Sequence, residues 1–388
     1  RWQEPSSPAG KHSQAYSALL GKRSGQITRN LGIGKASSAP MCLGCHADPA
    51  ASRGNTFQLA DGVGCESCHG GASSWIASHY AVGASHANNV ARGMTPLENP
   101  KVRAGVCLDC HFGSAANGQF VNHRIMAAGH PRISFELDLF SSLQQHHDED
   151  ADYAARKRRS DNVQLWAVGQ ALALKRSLDL YASASRGTEG VFPEFYFFDC
   201  HSCHRRIYDQ ADAVRTGLNN PGRPIPEGMP PYNDENMIML SAAARVTVPA
   251  SAAQFDKASK DFHAALAVDR NSAVAAARRL SIAADNLADN FASGSFGSSQ
   301  AFAIIDTIAT DAIAARLTDY EGSVQAVMAV DTLLSALVRS GNVTQGAAAG
   351  IRANVNRAYE AVRDPNAYRP ADFRSSIGAA ASAVRALR

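Results

Sequence analysis

The pattern of apolar and polar residues changes near residue 232. Beyond that point apolar side chains recur at helical spacing in an alanine-rich background, and glycine or proline stands where helices are expected to end, at Gly294, Gly341 and Pro365. The pattern predicts a bundle of antiparallel helices, closely packed because alanine lets helices approach one another. Its apolar faces are Leu280, Ala284, Leu287 and Phe291; Val327, Val330, Leu334 and Leu337; Ile351, Val355 and Val362; and Phe373, Ile377, Val384 and Leu387.

Residues 1–232 show little sustained periodicity and are rich in glycine, serine, proline and asparagine. The exception is a helix predicted over Asp161–Tyr181, where Leu165, Val168 and Leu172 share one face. This half therefore gives little sign of a large side-chain core.

Glycine and proline are frequent between residues 206 and 235, as is typical of a linker. We therefore predict a mainly α protein with little regular sheet and two domains, 1–232 and 233–388. The formal charge of +3 is small for 388 residues, and no basic block interleaved with aromatics indicates a nucleic-acid partner. No apolar run approaches the roughly 18 residues that a membrane span needs.

The cysteines change this picture of the first domain. All eight fall in four C-x-x-C pairs, and histidine follows each pair. Histidine makes up only 13 of 388 residues, so four chance matches have odds of roughly one in a million. The four motifs are Cys42, Cys45 and His46; Cys65, Cys68 and His69; Cys107, Cys110 and His111; and Cys200, Cys203 and His204.

This C-x-x-C-H spacing is the attachment pattern of c-type haem. Two thiols three positions apart reach the two vinyl groups at one porphyrin edge, and the following histidine ligates the iron. Zinc would use the same cysteines but requires no histidine directly after each pair. A disulfide within C-x-x-C would close a very short loop and add little stability. The sequence predicts four covalently attached haems c, which would serve as the core of residues 1–232.

Attachment of this kind takes place outside the cytoplasm, so we expect a periplasmic or extracellular protein. The first residues, RWQEPSSPAG, lack the basic-then-apolar order of a secretory signal, so we expect that the signal has been removed.

Nine further histidines supply candidates for the sixth ligand of each iron. We predict His12, which lies in a short helical stretch, and His79, which follows the apolar Trp75 and Ile76. His123 and His130 complete the predicted set, which is large enough for bis-histidine ligation throughout. Pro131 should end any helix at or before His130 and leave that side chain at a turn.

Other residues compete for the same role. His86, His146 and His147 remain alternates, the last two ahead of a charged stretch that is typical of a solvated loop. Methionine is the competing ligand type, at Met41, Met94 and Met126. We expect His201, inside its own motif, to point away from that iron, and His263 to lie at the surface.

Several segments resemble the cytochrome c554 family of multihaem cytochromes, which is related in haem packing to hydroxylamine oxidoreductases. They are GVGCESCHGG with a histidine ten residues after the motif histidine, KHSQAYSALL ahead of CLGCH, and AAGHPRISFEL. The resemblance covers roughly Lys11 to Tyr208 and implies that His12 and His79 are distal ligands. In relatives, one haem can lack a distal ligand. The motif CLGCH, which ends at His46, is the nearest equivalent of that haem's motif in this chain. The chain departs from the family in two respects. The segment KHSQAYSALL, which resembles the helix that carries a distal ligand, precedes the first motif, and the fourth motif comes late in the sequence.

These observations favour an electron carrier rather than an enzyme, with redox proteins or an extracellular acceptor as partners. Two alternatives stay open. One is an oxidoreductase acting on a small nitrogen or sulfur compound at an open haem, and the other is a subunit that self-assembles into a cytochrome filament. The C-terminal helices fit either a docking role or a stabilising scaffold.

Overall fold

The computed structural model describes residues 2–4, 6–50, 52–116, 118–147, 150–156, 161–189, 193–204, 222–226, 229–314 and 320–388. Helices joined by turns make up the regular structure of these residues, and they contain no strand, only an isolated antiparallel bridge between Phe198 and Tyr232. The predicted mainly α class is confirmed. Much of the predicted linker, at 205–221 and 227–228, lies outside the described residues.

The chain divides into two compact units. The N-terminal unit comprises Arg1–Phe135 and Leu139–Ser160, and the C-terminal unit comprises Glu136–Asp138 and Asp161–Arg388. The first three C-x-x-C-H motifs therefore belong to the N-terminal unit and the fourth to the C-terminal unit. This division differs from the predicted boundary after residue 232, because the helix that follows Asp161 packs within the bundle.

Short helices build the N-terminal unit. Its largest apolar cluster is small and consists of Ile27, Leu31, Ile125 and Ala128, with Ile33 and Val121 against it. The helices are α1 (Ala15–Ala18), α2 (Lys22–Leu31), α3 (Pro40–His46), α4 (Cys65–His69), α5 (Ile76–His79), α6 (His86–Ala91), α7 (Pro100–His111), α8 (His123–Ala127), α9 (Leu137–Leu143), whose first two residues count with the C-terminal unit, and α10 (Ala151–Arg156).

Longer helices build the C-terminal unit. They are α11 (Asn162–Ala182), α12 (Glu235–Thr247), α13 (Pro249–Leu266), α14 (Arg270–Ser293), α15 (Ser298–Ile313), α16 (Tyr320–Arg339), α17 (Gln345–Ala361) and α18 (Pro370–Arg385). α11 packs extensively against α14 and also contacts α12 and α16. The apolar faces predicted from periodicity are buried, except for Leu172 of α11, which is half-buried, and Leu387, which lies beyond the end of α18 and is 37% exposed.

Helix boundaries in this unit follow local capping. The Asp161 side chain accepts a hydrogen bond from the Gln164 amide and begins α11, and the Thr344 hydroxyl accepts one from Ala347 at the start of α17. α16 is long and apolar enough to span a membrane, but 83% of its most apolar stretch is buried inside the protein. Such burial is typical of a core helix.

A buried ion cluster lies within the C-terminal unit. The Asp234 carboxylate pairs with the guanidinium of Arg223 and lies 3.3 Å from His263 Nε2, and neither the Asp234 nor the His263 side chain is exposed. His263 Nδ1 donates to the Ser259 carbonyl at 2.8 Å. The expectation that His263 lies at the surface is therefore wrong, because Asp234 compensates its polar ring in the core.

We expect Asp234→Ala to lower the free energy of unfolding of this unit by about 3–5 kcal/mol, because it removes the buried carboxylate that pairs with Arg223 and His263. Chemical denaturation followed by circular dichroism measures the loss. The matched control is Asp306→Ala, which removes the exposed ion pair with Arg385 and should cost less than about 1 kcal/mol. Equal losses in the two variants would contradict a structural role for the buried cluster.

Candidate haem-binding site

Each of the first three motifs ends a helix. The motif histidines His46, His69 and His111 are the last residues of α3, α4 and α7. Residues three and four apart lie on one helix face, so both thiols and the histidine of a motif share that face. The fourth motif is a turn, in which the amides of Cys203 and His204 both donate to the Cys200 carbonyl, at 3.2 and 2.8 Å.

The first and third motifs meet at their cysteines. Cys110 Sγ lies 3.8 Å from the Gly44 carbonyl oxygen, and Cys45 Sγ lies 4.0 Å from the Cys110 carbonyl oxygen. The Gln119 side-chain amide donates to the Gly44 carbonyl at 3.1 Å and so joins the two motifs. The hydrogen bond with Cys110, followed by burial, raises the pKa of Cys45 far above its usual range.

The second motif reaches the same region. Burial first, and then the neighbouring Cys68 thiol, raise the pKa of Cys107 to about 12. Burial raises the pKa of Cys68 to about 11, with a smaller contribution from Cys110. The thiols of three motifs that are distant in sequence therefore converge inside the N-terminal unit.

A second histidine faces the motif histidine at each of these three sites. The ring centroids of His12 and His111 lie 5.9 Å apart with an interplanar angle of 82°. Those of His46 and His130 lie 6.4 Å apart at 86°. The His69 ring lies 6.1 Å from that of His146 and 6.4 Å from that of His147.

These separations fit an iron between the rings. If a metal were bound between two imidazole nitrogens, with metal–nitrogen bonds of about 2 Å and each nitrogen about 1.1 Å from its ring centre, the two ring centroids would lie about 6.2 Å apart. All of the observed distances lie within 0.3 Å of that value: 5.9, 6.1, 6.4 and 6.4 Å. The residues of the N-terminal unit therefore suit bis-histidine haem at three positions.

Backbone carbonyls select the ligating tautomer of several of these histidines. Nδ1 donates to the Ala15 carbonyl in His46 and to the Pro131 carbonyl in His130, both at 2.8 Å, and to the Gln144 carbonyl in His146 at 2.9 Å. A proton fixed on Nδ1 leaves the Nε2 lone pair available for a metal.

The motif histidine of the third pair lies against two aromatic side chains. The His111 ring packs against Phe135 and Phe140, with centroids 5.1 and 5.2 Å away. Burial, followed by the nearby His12, lowers the pKa of His111 to about 4. Burial also lowers the pKa of His130. Both imidazoles are held in the neutral form that binds iron.

Two of the predicted distal ligands are placed differently. His79 is exposed, with its ring 5.8 Å from that of Trp75 and Nδ1 3.4 Å from the Asn89 amide nitrogen, so it does not face a motif histidine. His123 is the half-buried first residue of α8. Ligation by these two residues stays a prediction.

Of the three alternate distal ligands, two face a motif histidine and one does not. His86 Nε2 lies 2.9 Å from a Glu98 carboxylate oxygen, whereas His146 and His147 face His69. In the sequence, the only indication of a ligand role for His146 and His147 is that two histidines are adjacent. The charged residues that follow them are typical of a solvated loop and point the other way. α8 ends at Ala127, so His130 stands at a turn as expected, and it faces the motif for which the resemblance implied an open haem.

The fourth motif lies beside the core of the C-terminal unit. His201 Nδ1 donates to the Pro365 carbonyl at 2.6 Å, and the Asp199 carboxylate accepts from the amide and hydroxyl of Ser202. Phe197, which precedes this motif, is buried and stacks with Tyr232 at a centroid distance of 6.4 Å.

The loop ahead of the second motif holds the backbone of His12. The Val63 amide donates to the His12 carbonyl at 3.1 Å. Gly62 has φ of +69° and ψ of −134°, a conformation that is essentially confined to glycine. A Cβ atom there would lie 2.6 Å from the His12 carbonyl oxygen and 3.0 Å from that of Ser13.

We expect Gly62→Ala to destabilise the N-terminal unit by about 3 kcal/mol or more, because it adds this clash to the strain of a left-handed φ. Denaturation followed by haem absorbance measures the change. Gly32 has the same φ of +69° but open space where a Cβ atom would lie, so Gly32→Ala should cost only about 1–2 kcal/mol. Similar losses in both variants would show that the contact with His12 is unimportant.

Comparison with known proteins bears on the N-terminal unit. The family model for cytochrome c554 and c-prime matches residues 5–70, a stretch that contains His12 and the first two motifs. Searches of curated proteins and of solved structures gave no match. Together with the histidine pairs, the family match supports a c-type cytochrome that binds haem covalently and transfers electrons.

Proposed function

We propose that this chain is a tetrahaem c-type cytochrome that passes single electrons along closely packed haems outside the cytoplasm. The observation that carries the proposal is the spacing of the histidine pairs, between 5.9 and 6.4 Å at three motifs. Histidine on both sides of an iron favours a six-coordinate, low-spin centre, which suits electron transfer rather than substrate binding.

Each group of residues has a defined part in this proposal. The eight motif cysteines hold the porphyrins through thioethers, and His46, His69, His111 and His204 are the proximal ligands. His130 and His12 are the distal ligands opposite His46 and His111. When bound, haem supplies an iron that alternates between the ferric and ferrous states.

The meeting of the first three motifs supports transfer between neighbouring haems. The first and third motifs approach one another through Gly44, Cys110 and Gln119, and Cys68 of the second motif lies near Cys107, so three attachment points share one small region. The thiols of Cys107 and Cys68 and the His111 ring are partly buried there, and partial burial reduces the reorganisation of surrounding water when charge moves. Redox proteins or an extracellular acceptor are the proposed partners.

The haem content of the holoprotein tests the proposal. We expect four haems per chain from pyridine haemochrome absorbance and intact mass, and electron paramagnetic resonance spectra dominated by low-spin ferric haem. Fewer than four haems would contradict the tetrahaem assignment.

The spectrum also separates this function from the alternative oxidoreductase. A large high-spin fraction that binds nitric oxide or hydroxylamine would favour catalysis at an open iron. The histidines opposite His46, His69 and His111 argue against an open iron at those three motifs.

A further inference from the structure

Two adjacent histidines stand opposite one motif histidine in the N-terminal unit. His146 and His147 follow α9, both are exposed, and their ring centroids lie 4.2 Å apart. One potential ligand nitrogen from each of these residues and one from His69 all lie within 4.8 Å of one another. The other two pairs, at His46 and His111, have one distal histidine each.

The two rings are almost equally placed with respect to His69. Their centroids lie 6.1 and 6.4 Å from its centroid, with interplanar angles of 84° and 77°. Both distances match an axial partner across an iron, which is about 6.2 Å. An iron that His69 ligates has only one remaining axial position, so the two histidines compete for it.

The surroundings let either side chain take that position. Exposure means that exchange would displace no packed core, in contrast to the enclosed His111 site with Phe135 and Phe140. His146 has the hydrogen bond from Nδ1 to the Gln144 carbonyl that prepares Nε2 for the metal.

We propose that His146 and His147 are interchangeable distal ligands of the haem attached at Cys65 and Cys68. The proposal rests on the proposed function, since it requires haem at the second motif. Its consequence is that this iron stays six-coordinate when one histidine detaches, so a movement of the exposed segment after α9 leaves the electron path intact.

Three variants of the full-length holoprotein test the pair, with low-spin and high-spin ferric haem quantified by electron paramagnetic resonance. His146→Ala and His147→Ala are each expected to keep every haem that is low-spin in the parent protein low-spin. The double variant is expected to convert one haem per chain to the high-spin form. His130→Ala is the matched control, because His46 faces a single distal histidine and one substitution should suffice there.

Two results would overturn the proposal. If His146→Ala alone or His147→Ala alone converts one haem to the high-spin form, the haem has a single dedicated distal ligand. If the double variant stays low-spin, another residue ligates this iron. Haem content is measured on the same samples. Four haems per chain with the wrong spin pattern refutes only the ligand pair, whereas a missing haem at the second motif in the parent protein refutes the proposed function.

Discussion

A chain with alanine at both Cys107 and Cys110 is expected to lose its third haem and most of the stability of the N-terminal unit. α7 carries these cysteines into contact with the first motif through Gly44 and places Cys107 near Cys68. The helices around them have 4 to 12 residues, which is too short for stability in isolation. The small apolar cluster between α2 and α8 offers little to replace the missing porphyrin.

Haem content, circular dichroism and limited proteolysis of the full chain measure this effect. We expect fewer haems, less helix, and cleavage concentrated in residues 1–160. The matched control is Cys200→Ala with Cys203→Ala, which should remove one haem and leave the bundle folded, since Phe197 and its neighbours pack against protein side chains. An N-terminal unit that resists protease without its third haem would refute the idea that haem organises this fold.

The second large effect is expected from His12→Ala, which should convert the third haem from low-spin to high-spin. His12 is the ring opposite His111, 5.9 Å away, and the site around His111 is enclosed by aromatic side chains. The expected result is a high-spin signal from one haem per chain that binds added imidazole and then returns to low-spin. Optical and electron paramagnetic resonance spectra report both steps.

Two further variants define that result. Lys11→Ala alters the exposed neighbour of His12 and should leave the spectrum unchanged. His79→Ala should also be silent, because its exposed ring contacts Trp75 rather than a motif histidine. A high-spin signal from His79→Ala, with none from His12→Ala, would support ligation by His79 and contradict the pairing of His12 with His111.

The sequence identified the attachment residues but could not pair the histidines. A C-x-x-C-H motif is local, and its geometry follows from the helix that contains it. The partners His12 and His111, or His46 and His130, lie 99 and 84 residues apart, so only the folded chain brings them together. The prediction of His79 rests on the apolar residues Trp75 and Ile76 ahead of it and on the family resemblance, and neither pairs it with a particular motif. The structure places residues 146 and 147 opposite His69.

In the helical bundle, the sequence predicts individual helices but not which unit each helix joins. Periodicity located α14, α16, α17 and α18, because each has one apolar face towards the core. α11 was also predicted, but it is buried on most of its surface, so its pattern gave no indication of which domain it joins. Its packing against α14 moves the division between the units ahead of the fourth motif, and the predicted boundary after residue 232 ignored that contact.

The placement of the fourth motif in a turn has a consequence for biogenesis. Its unit has a core made of side chains and can reach its fold before any cofactor arrives, while the Cys203 side chain remains exposed. In the N-terminal unit the Cys107 thiol is instead half-buried, and burial raises its pKa to about 12. If haem is attached at all four motifs, as proposed, we expect attachment at Cys200 and Cys203 to be able to follow folding of the surrounding polypeptide. At the first and third motifs, where all four thiols are half-buried, we expect attachment to precede it.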